Sequence, residues 1–441
     1  MVTDRQSNPL SGATPAAAAR FDDAVRSFTI YRGDPIGTLD QAVAEAPAFA
    51  QAHLFKAFIL GLATEPQATR DALAIAETVR GLPKDDREAS QLAALDHLLA
   101  GGWVAAAGAL DFHNMRYPRD LVALAAGHLM DFYRGNARDL RDRIARALPH
   151  WNASVPGHHA VLGMYAFGLE EAGDYARAEQ AGREALDLEP LDSWAHHAVT
   201  HVMEMQGRAE DGIGWMIARE PYWSGDDNFF KVHNWWHRGL FHLDLGQVDQ
   251  VLALYDGPIR GTRSRVALDL VDASALLWRV HLAGHDVGDR WAELADCWDD
   301  HADGRLYPFN DLHAVMASLG AGRRASVDRV VAAARAHAEG SSDTARWAGT
   351  VGLPLIAGFV AFWDGRYADA VQALHPVRFV AHQFGGSHAQ RDVIDWTLTE
   401  AALRAELPGV ALGLASERTA LKPHSPVNRG FLQRAGRLAT V

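Results

Sequence analysis

Cysteine is nearly missing from this sequence: its 441 residues contain one, Cys297. One thiol closes no internal disulfide, so the fold does not depend on an oxidising compartment. The neighbours of Cys297 in AELADCWDD are acidic, which raises a thiol's pKa and blunts it as a nucleophile, so it reads as a small packing residue. Basic charge is in deficit, with 42 Lys and Arg against 55 Asp and Glu and a formal net charge of −13. That balance excludes the electrostatic footprint of a nucleic-acid binder or of an anionic membrane surface. No run of 18 apolar residues is free of charge, so no membrane span is expected. The opening MVTDRQSNPLSGATPAAAAR has no apolar core like that of a signal peptide, and a cytoplasmic location is expected. Short alternating runs of Val, Ile and Thr between turn residues are almost absent, which argues against sheets.

What is present is helix. Apolar residues make up 48 % and charged residues 22 %, the balance of a folded chain and not of a disordered one. Alanine-rich segments such as AVAEAPAFAQAHLFKAFILGLA and RVVAAARAHAEG place apolar residues every three or four positions. In EEAGDYARAEQAGREALDLEP, a glycine turn at Gly173 precedes Tyr175, Ala178, Ala185 and Pro190, small residues where two helices of a hairpin approach closely. Glycine turns recur at Gly101, Gly135, Gly173, Gly207, Gly246, Gly284, Gly320 and Gly365, in steps of 34, 38, 34, 39, 38, 36 and 45. The 34-residue step is the tetratricopeptide (TPR) period. With an earlier turn near Thr64, the pattern predicts an all-α, α-α superhelix, a TPR-like solenoid of about nine helical hairpins over residues 26–405. Residues 1–25 are expected to be a flexible tail and 406–441 a C-terminal cap and tail.

The stretch HHAVLGMYAFGLEEAGDYARAEQAGREALDLEPLDSWAHHAVTHVMEMQGR, with NFFKVHNWWHRGLFHLDLGQ, FNDLHAVMASLG and GGSHAQRDVI, resembles the tetratricopeptide repeat protein 38 family. The resemblance runs from about residue 40 to 405. It implies a helical repeat fold and assigns no reaction.

Histidine and tryptophan are the unusual counts, at 22 and 13. Only His53 and His97 precede residue 110, whereas nine histidines fall between His150 and His242, a clustering that a general bias would not produce. Trp194, His197, His201 and Glu204 follow one another in steps of three or four, hence on one helical face, which by analogy lines the concave wall of a TPR array. His196 points away and is expected to pack against a neighbouring helix. The next first helix supplies His233, Trp236 and His237, again with an i, i+4 histidine pair. Further on come Asp311 and His313, then Ser387, His388, Arg391 and Asp392, with Ser387 a helix cap.

The catalytic candidates are therefore His197, His201, Glu204, His233 and His237, with Glu204 orienting one imidazole. Trp194, Trp236, His313, His388, Arg391 and Asp392 are candidates for substrate binding. No cofactor is indicated. A divalent metal on His197, His201, Glu204 and His233 or His237 stays open, although Ala198 stands where a zincin helix carries its glutamate. No G-x-S-x-G elbow, phosphate-binding loop or dinucleotide fingerprint occurs. Three readings follow: a small molecule or protein partner in a His/Trp/Glu-lined concave groove; general acid–base or metal-assisted hydrolysis, elimination or isomerisation; and a polar network that fixes the stacking of the repeats.

Overall fold

The computed structural model describes residues 2–440. The described residues form an all-α, TPR-like array of consecutive antiparallel helix pairs, with two isolated β-bridges and no strand. The chain divides into two compact units, residues 1–199 with 221–231 and residues 200–220 with 232–441. The Ser193–Met205 helix runs unbroken through the first of these divisions.

Local chemistry sets the helix ends. Thr14 caps the first helix, Pro15–Thr29, by accepting from Ala17 N–H, and Pro15 occupies a position where its missing N–H is not needed. Asp85 with Glu88 and Ser387 with Gln390 form reciprocal capping boxes at the starts of Asp86–Leu99 and His388–Arg404. The expected turn glycines at 101, 135, 173, 207, 246, 284 and 365 all have positive φ. At Gly173 that left-handed residue ends one helix so that the next can begin at Tyr175.

Several expectations need correction. Gly320 is not a turn residue: it ends the Pro308–Gly320 helix, and the left-handed residue is Gly322. Glycine is required at 320 because an added Cβ would sit 2.2 Å from the Trp291 ring. Residues 1–25 are not a loose tail within the described part. Pro9 accepts from the Arg87 guanidinium, Ser11 N–H donates to Glu88, Leu10 is buried, and a helix starts at Pro15. Residues 406–441, expected as a cap and tail, contain a helical hairpin, Pro408–Leu421 with Pro426–Ala439. One stretch, Asp343–Trp363, is long and apolar enough to cross a membrane by length and composition, where none was expected. It bends through a π-helical turn at Ala348–Gly352, and 61 % of its apolar window is buried inside the protein.

The first unit buries polar groups in hydrogen-bonded sets. Asp120 accepts from Arg87, Gln91 and His113, while Gln51 and Gln91 bond to each other. Arg143 meets Asp131 at 2.7 Å and also donates to Asn114 and the Ala107 carbonyl. Such mutual satisfaction lets charge sit in an apolar stack.

The glycine contacts give a paired prediction. Gly320→Ala should lower the melting temperature, at a cost of about 1–3 kcal/mol from overpacking against Trp291. Gly436→Ala, inside the Pro426–Ala439 helix with nothing within 4 Å of the new Cβ, should leave it unchanged or raise it. Thermal melts of the two variants that moved together would contradict this packing.

Candidate functional site

The histidine face read on the Ser193–Met205 helix divides between the two units. In the first unit, Trp194 and His197 enter an aromatic nest. Trp194 stacks on Tyr31 with ring centroids 5.7 Å apart and donates its indole N–H to His128 Nε2 at 3.2 Å. His197 lies against Phe167, Trp194 and Phe230 at 5.5, 5.0 and 5.1 Å. The space beside Trp194 measures about 20 Å³, room for one water and no more, so Trp194 is packing and not a ligand wall. Burial drives the His128 imidazole down to about 3, keeping it neutral as the indole's acceptor. His196 packs against Trp223 as expected, 5.7 Å away and nearly parallel.

In the second unit, His201 meets His233 and His237 of the Lys231–Asp244 helix. All three are buried, and ring nitrogens of the three lie within 4.8 Å of one another. The His201 and His237 ring centroids are 4.5 Å apart, and those of His233 and His237 are 4.9 Å apart at an interplanar angle of 88°. His197 stands one turn before His201 on the same helix, so the helix itself places the two rings on one face.

A shell that the sequence reading missed supports this group. His233 Nδ1–H donates to the Asp272 carboxylate at 2.8 Å, which leaves its lone pair on Nε2. Asp272 comes from the largely apolar Ala267–Leu282 helix. Burial pushes its carboxyl up, while His233 and Arg279 pull the other way. Arg279, also buried, lies 5.6 Å from the Trp236 ring centroid, and His233 stacks on the other residue's ring at 5.2 Å. The Arg279 guanidinium donates to the carbonyls of Ala389 and Gln390 at 2.8 and 3.2 Å, in the first turn of His388–Arg404. The fully buried carboxamide of Asn234, next to His233, makes no hydrogen bond to another residue.

Glu204 does not orient an imidazole. Its carboxylate pairs with Lys422 at 3.0 Å, one turn beyond His201 and directed to the edge of a separate cavity. Trp236 is fully buried under His233 and Arg279, and His313 is buried with Nδ1–H donating to the Phe309 carbonyl at 2.7 Å. Neither lines that cavity. Burial drives His313 down to about 4.

The cavity itself, about 260 Å³, gathers His388, Arg391 and Asp392 with Met205, His382 and Lys422, and with Arg378 and Asp395. His388, Arg391 or Asp392, and Asp395 share one face of the His388–Arg404 helix by spacing. Asp392 is held by Arg418 through bonds of 2.8 and 3.2 Å, and its carboxyl sits near 2: burial raises it, but Arg418 and Lys422 more than offset this. Asp395 pairs with Arg378 at 2.7 Å, yet burial keeps its carboxyl above the usual range. Arg391 donates to the Gly386 carbonyl. Burial, then Arg391 and His388, lowers His382.

Elsewhere, Cys297 is buried and donates to Glu293, and burial with that carboxylate raises its thiol, in keeping with a packing residue. No family model matches the chain. Among solved structures it is similar to the crystal structure of the APC/C hetero-tetramer Cut9–Hcn1, at 14 % identity and a TM-score of 0.44 over 96 % of this chain and 77 % of that one. It is also similar to the human IFIT1 dimer with PPP-AAAA, at 13 % and 0.41 over 96 % and 100 %. Both likenesses are distant.

Asp311, beside His313 in the sequence, supplies a test of these burial effects. It accepts from Gly304 N–H at 3.0 Å, and burial raises its carboxyl from 3.8 to about 7. The folded chain therefore keeps this proton where the unfolded chain has lost it, and stability falls as pH climbs across that window. Asp311→Asn keeps the acceptor and removes the titration. Its melting temperature should match wild type at about pH 4 and exceed it by several degrees at about pH 8. Parallel pH profiles for the two proteins would refute the burial effect.

Proposed function

We propose that this chain is a TPR-like scaffold whose second unit binds a small polar molecule in the cavity at the start of the His388–Arg404 helix. The observation that carries the reading is that one helix face brings His388, Arg391, Asp392 and Asp395 to a single cavity of about 260 Å³, with Lys422 and His382 beside them. Cavities near the lower end of the ligand-binding range that mix fixed donors and acceptors suit small molecules carrying both. The ion pairs Asp392–Arg418, Lys422–Glu204 and Arg378–Asp395 tie the wall to three other helices and hold it in one shape before any ligand arrives. A wall of alternating charge favours a zwitterion or a hydroxy acid over a purely apolar or polyanionic ligand.

Thermal shift with a panel of amino acids, small mono- and dicarboxylates, hydroxy acids and inorganic phosphate tests the reading. A ligand at about 100 times its Kd adds about 2.7 kcal/mol, or roughly 5–10 °C for a unit of this size. At least one zwitterion or hydroxy acid should give such a rise, and Arg391→Ala and His388→Ala should remove most of it. The reading fails if no panel member stabilises the protein, or if both variants respond as wild type does.

A further inference from the structure

We propose that His201, His233 and His237 form a metal site for one divalent transition ion of the zinc class. The site is separate from the small-molecule cavity and does not rest on it. The three imidazoles are buried, come from two helices of one unit, and bring ring nitrogens within 4.8 Å of one another. Nitrogens around a tetrahedral zinc stand about 3.3 Å apart, given zinc–nitrogen bonds of about 2.0–2.1 Å, so side-chain rotations that move each nitrogen by up to about 0.9 Å close the set. Their rings meet edge to face and not stacked, at interplanar angles of 64° and 88°, which lets in-plane lone pairs converge on one point.

The second observation is the Asp272 carboxylate. It takes the Nδ1 proton of His233 at 2.8 Å, is itself fully buried, and leaves Nε2 as the donor to an ion. A carboxylate behind a histidine is the usual way of fixing a metal ligand's tautomer and raising its basicity. The third is Asn234, next to His233 in the sequence, whose buried carboxamide has no hydrogen-bond partner among the described residues; burying it that way costs free energy that a polar ligand reaching it would recover. An all-imidazole set selects borderline ions such as zinc, cobalt and nickel over magnesium or calcium, which prefer oxygen. Three neutral donors leave the ion its full positive charge and a fourth position, which takes water, hydroxide or a carboxylate.

The test uses full-length protein purified without a histidine tag. Elemental analysis should find about one zinc-class ion per chain, and chelator-stripped protein should bind Co2+ with the visible d–d bands of a tetrahedral nitrogen site. His237→Gln should lose the ion. Asp272→Asn, which keeps an acceptor for His233, should weaken Co2+ binding about 10–100-fold. His388→Ala, in the cavity, should bind the ion as wild type does. The proposal is overturned if purified protein carries no transition metal and stripped protein binds neither Zn2+ nor Co2+. It is equally overturned if folded His237→Gln binds Co2+ as wild type does. Should His237→Gln fail to fold, unchanged Co2+ affinity in Asp272→Asn overturns it instead.

Discussion

The second unit is arranged around one contact, the hydrogen bond from His233 to the buried Asp272 carboxylate. A carboxylate placed in the middle of an apolar helix has to be answered by donors, and the answer organises what surrounds it. His233 answers from the Lys231–Asp244 helix and is thereby turned toward His237 and His201. Arg279, two turns along from Asp272, carries positive charge back into the same interior and spends its donors on the first turn of His388–Arg404. That first turn is also fixed by its own capping box, and from it the cavity-lining face begins. The imidazole group and the cavity are thus two outputs of one polar core. Removing Asp272 would disturb both, whereas removing His388 would disturb only one.

The two units handle buried polarity differently. In the first, Asp120 is ringed by Arg87, Gln91 and His113, and Arg143 by Asp131, Asn114 and a carbonyl. Donors there face acceptors of a different kind, and the network reads as architecture. In the second, the converging groups are of one kind, three imidazoles. Nitrogen donors of one kind gathered at one point are the set that a divalent ion of the zinc class takes. This contrast within one chain separates the site from the many other buried histidines, such as His113 and His313, whose partners are a carboxylate and a carbonyl.

Much of the fold was legible because TPR-like hairpins are written in glycine spacing and small residues, both of which survive in a single sequence. Gly320 misled because a glycine demanded by contact with Trp291 looks the same as one demanded by a left-handed turn. The N-terminal segment misled because its polar composition hid contacts with Arg87 and Glu88 far along the chain. In the site, helical periodicity put His233 and His237 on one face of their helix, but it could not see that Glu204 turns to Lys422, some 218 residues away. Asp272 and Arg279 went unread, although the signal was there: two charged residues inside the run LVDASALLWRV have no solvent-facing reason to exist. Trp194 and Trp236 were overvalued because a tryptophan on a polar face packs far more often than it binds.

The most direct measurement is the protonation of the three imidazoles, read from nitrogen-15 chemical shifts of selectively histidine-labelled protein, with His233→Gln and His237→Gln to assign the signals. The account predicts that His233 carries its proton on Nδ1, bonded to Asp272, and that Nε2 of His233 and one nitrogen each of His201 and His237 shift together when a divalent ion is removed and restored. A proton on His233 Nε2, or imidazole shifts indifferent to metal removal, would contradict it and leave the cluster as packing.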